Sequence, residues 1–192
     1  MKPVLIVFAR APAIGVGKSR LAKDVGVVEA WRVYRAMREG LLRRLADPRW
    51  RLIVRVTPDG AAASGAEPQG PGGLGARLER ALRAHGRFGV AVVGTDCPEV
   101  TPERVRRALR AARRTGAALG PAEDGGFWIL ALAPGRARRL SLDGVRWSTP
   151  HAFADTLAAL GGEAAVLETL ADVDDGEGLR AWRRRRSAAR PG

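Results

Sequence analysis

The chain has 192 residues, with 33 Lys and Arg against 20 Asp and Glu, a net charge of +13, 46% hydrophobic and 28% charged residues. That length suits one α/β domain with a full core, and the composition is that of a soluble globular protein, not a disordered or membrane-spanning one. The longest apolar run, Val4 to Ala9, is far too short for a bilayer, and a lone cysteine excludes an internal disulfide and a cysteine metal cluster.

Val4 to Phe8 is continuous and rich in β-branched residues, so it is expected as a buried strand, ended by Ala11-Pro12-Ala13-Ile14-Gly15. Residues from Glu29 to Leu45 carry Val33, Tyr34, Met37, Leu41 and Leu45 at spacings of three and four, which predicts a helix. Leu52 to Val56 is a second strand, closed by the turn residues Thr57-Pro58-Asp59-Gly60. Gly60 to Gly73, rich in Gly, Ala and Pro, is expected as a loop. Leu74 to Ala84 is helical in pattern, and Val90 to Val93 is a third buried strand.

Thr101-Pro102-Glu103 opens a further helix, with threonine as N-cap and proline at the first helical position. Ala117 to Leu119 and Phe127 to Leu132 follow as strands, Thr149-Pro150 begins another helix, and Ala164 to Leu167 is the last strand. Asp174-Asp175 stands where a cap for a final helix through Leu179 and Trp182 is needed. Strands alternating with helices imply right-handed crossovers and a mostly parallel central sheet in a three-layer α/β/α arrangement. The chain divides into one domain over residues 1–182 and a basic C-terminal tail over 183–192, Arg183 to Arg186 being its charged run. No signal peptide is expected, since Lys2-Pro3 leads only into a short apolar stretch, so the setting is cytoplasmic.

Three loops carry chemistry, each directly after an apolar strand. Ligands of open α/β sheets bind beyond the carboxyl ends of the strands, so these loops are expected to converge. Gly15-Val16-Gly17-Lys18-Ser19-Arg20 falls short of a phosphate-wrapping P-loop, because Pro12 stands where that motif needs its first glycine. Lys18 and Arg20 still suit phosphate oxygens, one as a point charge and the other as a bidentate fork. Gly94-Thr95-Asp96-Cys97-Pro98 projects Asp96 from a strand end, where a carboxylate serves a divalent cation or caps the turn. Cys97 as a nucleophile with His151 as base lacks an orienting partner, so a small buried thiol is the better reading. In Gly120-Pro121-Ala122-Glu123-Asp124-Gly125-Gly126 the paired glycines allow close approach of a ligand, and Asp124 is placed to act as a base or hold a hydroxyl. Asp172-Val173-Asp174 puts two carboxylates on one side of an extended segment, as a second metal ligand or as a helix cap.

In this order, Phe8-Ala9-Arg10-Ala11-Pro12, Lys18-Ser19-Arg20-Leu21, Leu74-Gly75-Ala76-Arg77, Gly94-Thr95-Asp96-Cys97-Pro98, the Gly120 to Gly126 segment, Trp147-Ser148-Thr149-Pro150 and Asp172-Val173-Asp174 carry a resemblance across nearly the whole chain. The chain resembles a bacterial family of small glycosyltransferase-like proteins, labelled arsenosugar-biosynthesis or radical-SAM-associated transferases. That family has the GT-A fold of nucleotide-diphospho-sugar transferases and is related to molybdenum-cofactor and phospholactate nucleotidyltransferases. The resemblance implies a nucleotide-phosphate site at Arg10, Gly15, Lys18 and Arg20, and a metal, Mg²⁺ or Mn²⁺, at Asp96 with Asp174 as second ligand. It implies Asp124 and Asp96 as catalytic carboxylates, and Gly125, Gly126 and Trp147 against the substrate. Departures include Trp128 in place of a frequent tyrosine and Asp175-Gly176-Glu177-Gly178 in place of Thr-Pro-Glu-Asp.

The expected partners are therefore a nucleotide sugar or nucleoside triphosphate and a small-molecule acceptor. Glycosyl transfer is the leading reading, and nucleotidyl transfer with release of pyrophosphate the first alternative. A P-loop phosphotransferase is opposed by Pro12. A non-catalytic basic module binding polyanions leaves Asp96 and Asp124 unexplained, and nucleic acid has no aromatic platform here.

Overall fold

The computed structural model describes residues 2–15, 17–62 and 65–188. Its centre is one seven-stranded sheet in the order β3-β2-β1-β4-β6-β5-β7. The strands are β1 (Val4–Arg10), β2 (Arg51–Thr57), β3 (Ala66–Pro68), β4 (Val90–Val93), β5 (Ala117–Pro121), β6 (Phe127–Leu132) and β7 (Ala165–Val166). All pairings are parallel except those of β6, which runs against both β4 and β5. The carboxyl ends of β1, β4, β5 and β7 therefore share one edge, joined there by the start of β6.

Alternation along β1 sends Leu5 and Val7 to one face and Val4 and Ile6 to the other. The first face packs against α2 (Val27–Leu45) through Leu41 and Leu45, and against α4 (Pro102–Thr115) through Val105, Ala108 and Ala112. The second meets α3 (Leu74–His85) through Leu78 and Leu82, with α5 (Ala152–Ala159) beyond through Phe153 and Leu157. These are the three expected layers. Leu130 on β6 is fully buried among Leu119, Leu132 and Leu142. Leu130→Ala is expected to cost about 2–5 kcal/mol, the usual range for a large-to-small core change, read from the urea midpoint at unchanged slope.

Two elements were not foreseen. The short α1 (Ser19–Val25) buries only Leu21, so it offers no apolar stripe for periodicity to detect. Residues expected as a loop after Gly60 contain the edge strand β3, whose three residues include proline and no large apolar side chain; Ala63 and Ser64 lie outside the described residues. Thr101 caps α4 as expected, its hydroxyl accepting from the Arg104 N–H at 3.3 Å.

The supposed tail is a different matter. Helix α6 (Gly176–Ala188) continues through Arg183 to Arg186, because ion pairs hold this basic run against the body of the protein. Arg183 meets Glu29 at 2.8 Å and Arg185 meets Glu99 at 2.6 Å. Residues 189–192 lie outside the described residues. No helix among the described residues is long and apolar enough to cross a membrane.

Candidate functional site

A cleft of about 510 Å³ opens at the carboxyl edge of the sheet. The three loops do converge on it. Asp96 follows β4, Asp124 follows β5, and Asp172 and Asp174 follow β7; all four line the cleft together with Arg20, Gly126 and Trp147. Phe8, Leu74, Leu78 and Phe127 supply apolar walls.

Lys18 ties the loops together. It adopts a left-handed backbone (φ 51°, ψ 40°) immediately before α1, which turns its side chain back toward the sheet edge. The Nζ lies 2.6 Å from Asp96 Oδ1 and 3.2 Å from Asp174 Oδ1, and donates to the Val173 carbonyl at 2.7 Å. Its side chain is 7% exposed, against 55% for Asp96 and 39% for Asp174. Burial alone would lower the Lys18 pKa, but the two carboxylates outweigh it and hold the ammonium above its ordinary value. Lys18 is therefore a bridge between carboxylates rather than an open phosphate cradle, the role a P-loop lysine needs. Arg20, 73% exposed, adds a weaker contact to Asp174 Oδ2 at 3.4 Å. The Val173 N–H also donates to the Asp96 carbonyl at 2.9 Å, so backbone as well as charge joins the segments after β4 and β7.

Asp174 thus caps no helix. That task falls to Asp175, whose Oδ1 accepts from the Gly178 N–H at 2.8 Å at the start of α6. Asp172, half-buried in the cleft, belongs with the other three carboxylates. Burial and the neighbouring Asp124 raise its pKa above the usual carboxylate range. Its signal in the sequence is the alternation with Asp174.

Three predicted residues sit otherwise than expected. Arg10 and Gly15 are outside the cleft lining. The Tyr34 hydroxyl accepts from the Arg10 N–H at 2.9 Å and donates to the Arg10 carbonyl at 2.7 Å, while the Arg10 side chain runs past Gly17. Gly15 lines a separate hollow of about 310 Å³ with Lys18, Trp31 and Tyr34. Gly125 (φ +84°) packs on its own chain outside the cleft lining: a Cβ there would lie 2.4 Å from Pro150 Cα, and its carbonyl accepts from the Phe153 N–H at 2.8 Å. Its neighbour Gly126 does line the cleft, and donates to Asp124 Oδ1 at 2.8 Å. Trp147 lines the cleft with its indole against Gly75, where a Cβ would come within 2.9 Å of Nε1, and meets Phe127 edge-on at 6.2 Å.

Gly120 has a packing reason of its own. A Cβ there would stand 2.4 Å from the indole of Trp128, a fully buried side chain whose Nε1 donates to the Glu168 carbonyl at 2.9 Å. Cys97 is buried beneath the carboxylates, and burial followed by Asp172, Asp96 and Asp124 pushes its thiol far up. It stays protonated at pH 8, where a free thiol is partly ionised, and His151 sits exposed ahead of α5. Alkylation of the native protein at pH 8 is expected to run at least about tenfold slower than in denaturant, followed by mass spectrometry.

Among the described residues, no group of three or more His, Cys, Asp and Glu is placed to cage a metal. The donor set is two partly exposed carboxylates beside an open cleft. That suits a hard cation such as Mg²⁺ or Mn²⁺, which completes its shell with water and substrate phosphates, and not a closed structural site.

The sheet order, the reversed β6 and the acidic mouth at the carboxyl edge define an α/β protein of the nucleotide-diphospho-sugar transferase (GT-A) type. The chain belongs to the family described as uncharacterized protein conserved in bacteria (DUF2064), which it matches over residues 37–149. It is similar to a solved structure of a candidate nucleotide-diphospho-sugar transferase from Desulfovibrio desulfuricans G20, at 25% identity and a TM-score of 0.86, over 98% of this chain and 90% of that one. A CMP:2-keto-3-deoxy-manno-octonic acid synthetase solved with CTP shares the fold at 17% identity and a TM-score of 0.59, over 98% and 99% of the two chains. Rv0371c of Mycobacterium tuberculosis H37Rv, solved with manganese, does so at 18% identity and a TM-score of 0.54, over 94% and 97%. No curated protein matches the chain.

Proposed function

We propose that the cleft is the active site of a nucleotide-dependent transferase, moving a glycosyl group from a nucleotide-diphosphate sugar to a small acceptor. One observation carries the reading: Lys18, at the end of the β1 turn, binds Asp96 and Asp174 at the mouth of a cleft that Asp124 also lines. Asp96 and Asp174 would hold Mg²⁺ or Mn²⁺, which supplies charge stabilisation to a departing diphosphate. Arg20, exposed at the same mouth and holding Asp174 only by a long contact of 3.4 Å, would turn to meet phosphate oxygens, with Arg10 and the Gly15 turn flanking the nucleotide. Lys18 fixes the two carboxylates in register for that task.

Asp124 has the geometry of a base. Its Oδ1 is held by the Gly126 N–H, and Oδ2, with no hydrogen-bond partner among the described residues, would receive the acceptor's proton. The acceptor hydroxyl oxygen would bond to the anomeric carbon as that carbon's bond to the diphosphate oxygen breaks, the hydroxyl proton passing to Asp124. Trp147 and Gly126 would border the acceptor. The likeness to a candidate nucleotide-diphospho-sugar transferase supports this choice of donor. Membership of the arsenosugar-biosynthesis or radical-SAM-associated type, to which the sequence bears a resemblance, belongs with this proposal.

The second reading is nucleotidyl transfer, favoured by the cationic β1 turn and by the relative solved with CTP. The products separate the two. Incubation with panels of nucleotide sugars and of nucleoside triphosphates, with Mg²⁺ or Mn²⁺, is expected to release nucleoside diphosphate; release of pyrophosphate instead would install the second reading.

A further inference from the structure

The cleft's charge is opposite to the protein's. A chain of net charge +13 presents to this cavity four carboxylates, Asp96, Asp124, Asp172 and Asp174, and a single arginine, Arg20. The cations that do approach are already engaged with the outer pair: Lys18 with Asp96 and Asp174, Arg20 with Asp174. Asp124 and Asp172 have no ion-pair partner within the described residues, and nothing cationic in the cleft lining serves them. Beside them stand two aromatic rings, Phe127 and Trp147, packed edge to face on one wall. A phosphate-binding subsite needs converging N–H donors or guanidinium groups, and this part of the lining offers carboxylate acceptors instead. Carboxylates paired with aromatic faces suit a ligand that donates several O–H groups and lays a C–H face on a ring.

From this we infer that the second substrate carries no phosphate or other anionic group: it is an uncharged polyhydroxyl compound whose hydroxyls are received by Asp124 and Asp172 and whose apolar face rests on Phe127 and Trp147. The inference rests on the transferase reading and sharpens it, because a phosphorylated second substrate would enter against two carboxylates that have no ion-pair partner among the described residues. Like charge set against like charge is a device for rejecting wrong partners as well as a failure to attract them.

The test compares matched ligands by ligand-observed NMR, with the nucleoside diphosphate and Mg²⁺ saturating: glucose against glucose 6-phosphate, and glycerol against glycerol 3-phosphate. The neutral member of a pair is expected to bind, with the phosphorylated member at least about tenfold weaker. That gap should narrow in Asp172→Asn and in Asp124→Asn, the latter an exposed position where loss of charge leaves the fold intact. Equal or tighter binding of the phosphorylated members overturns the inference. So does a failure of both members to bind while nucleoside diphosphate still binds, and in either case the transferase reading stands. Absence of nucleoside diphosphate binding in wild type strikes both.

Discussion

Replacing Asp96 by alanine is expected to lower transfer by roughly 100-fold or more while leaving the protein folded. The two halves of that expectation come from the same geometry. Asp96 is more than half exposed, so its carboxylate is dispensable to the core, and Lys18 keeps Asp174 and the Val173 carbonyl as partners when it goes. The proposed cation, by contrast, would lose one of only two protein donors. Lys18→Ala should behave differently. It removes the one buried cation between carboxylates that then repel each other, so both turnover and thermal stability should fall. Measuring kcat/KM alongside Tm for the two variants separates a ligand from a bridge. Full activity in Asp96→Ala would remove the metal site from this end of the sheet.

Gly125→Ala is expected to be the most destabilising single-methyl change near the cleft, at about 2–5 kcal/mol. Two costs combine there. The residue holds φ +84°, a left-handed backbone that a side chain disfavours, and the new Cβ would meet Pro150 Cα at 2.4 Å and its carbonyl oxygen at 2.5 Å. Backbone cannot swing aside as a flexible side chain can. Gly135→Ala is the control, since Gly135 has φ +78° but nothing within 4 Å of its Cβ position, so only the conformational cost of about 1–2 kcal/mol applies. Urea unfolding of both variants reads the difference. Equal losses would mean that the turn before β6 yields to the proline, and that Gly125 is not needed for the contact.

The parts of this fold that sequence pattern exposes are those whose burial is one-sided or complete. Strands β1 and β4 are continuous apolar runs because both of their faces are covered, and α4 announces itself through Thr101, Pro102 and a regular apolar stripe. α1 and β3 stayed hidden for the reverse reason: one buries a single side chain, and the other is a three-residue edge strand containing proline. In the cleft, the loops that carry Asp96 and Asp124 were legible because each follows a strand end directly. The partition between Asp174 and Asp175 was not, since either aspartate satisfies a cap in one dimension and only the position of Lys18 decides between them. Gly125 is ambiguous for a similar reason. Paired glycines report that something approaches the backbone, and the sequence does not say that the visitor is Pro150.

The last segments of the chain are tied to its first: Lys18 and Val173, at the cleft, are 155 positions apart, while Asp24 and Gly176, 152 apart, and Glu29 and Arg183, 154 apart, hold α6 to α1 and α2. Contacts of such long range form late, because the loop that they close is nearly the whole polypeptide. On the ribosome, β1, β2 and β4 can pair well before Asp172 and Asp174 have been synthesised. A nascent chain of this kind acquires its central pleated layer first and its chemistry last, and a copy released before Asp172 would hold the scaffold of a transferase with half of its acidic mouth missing.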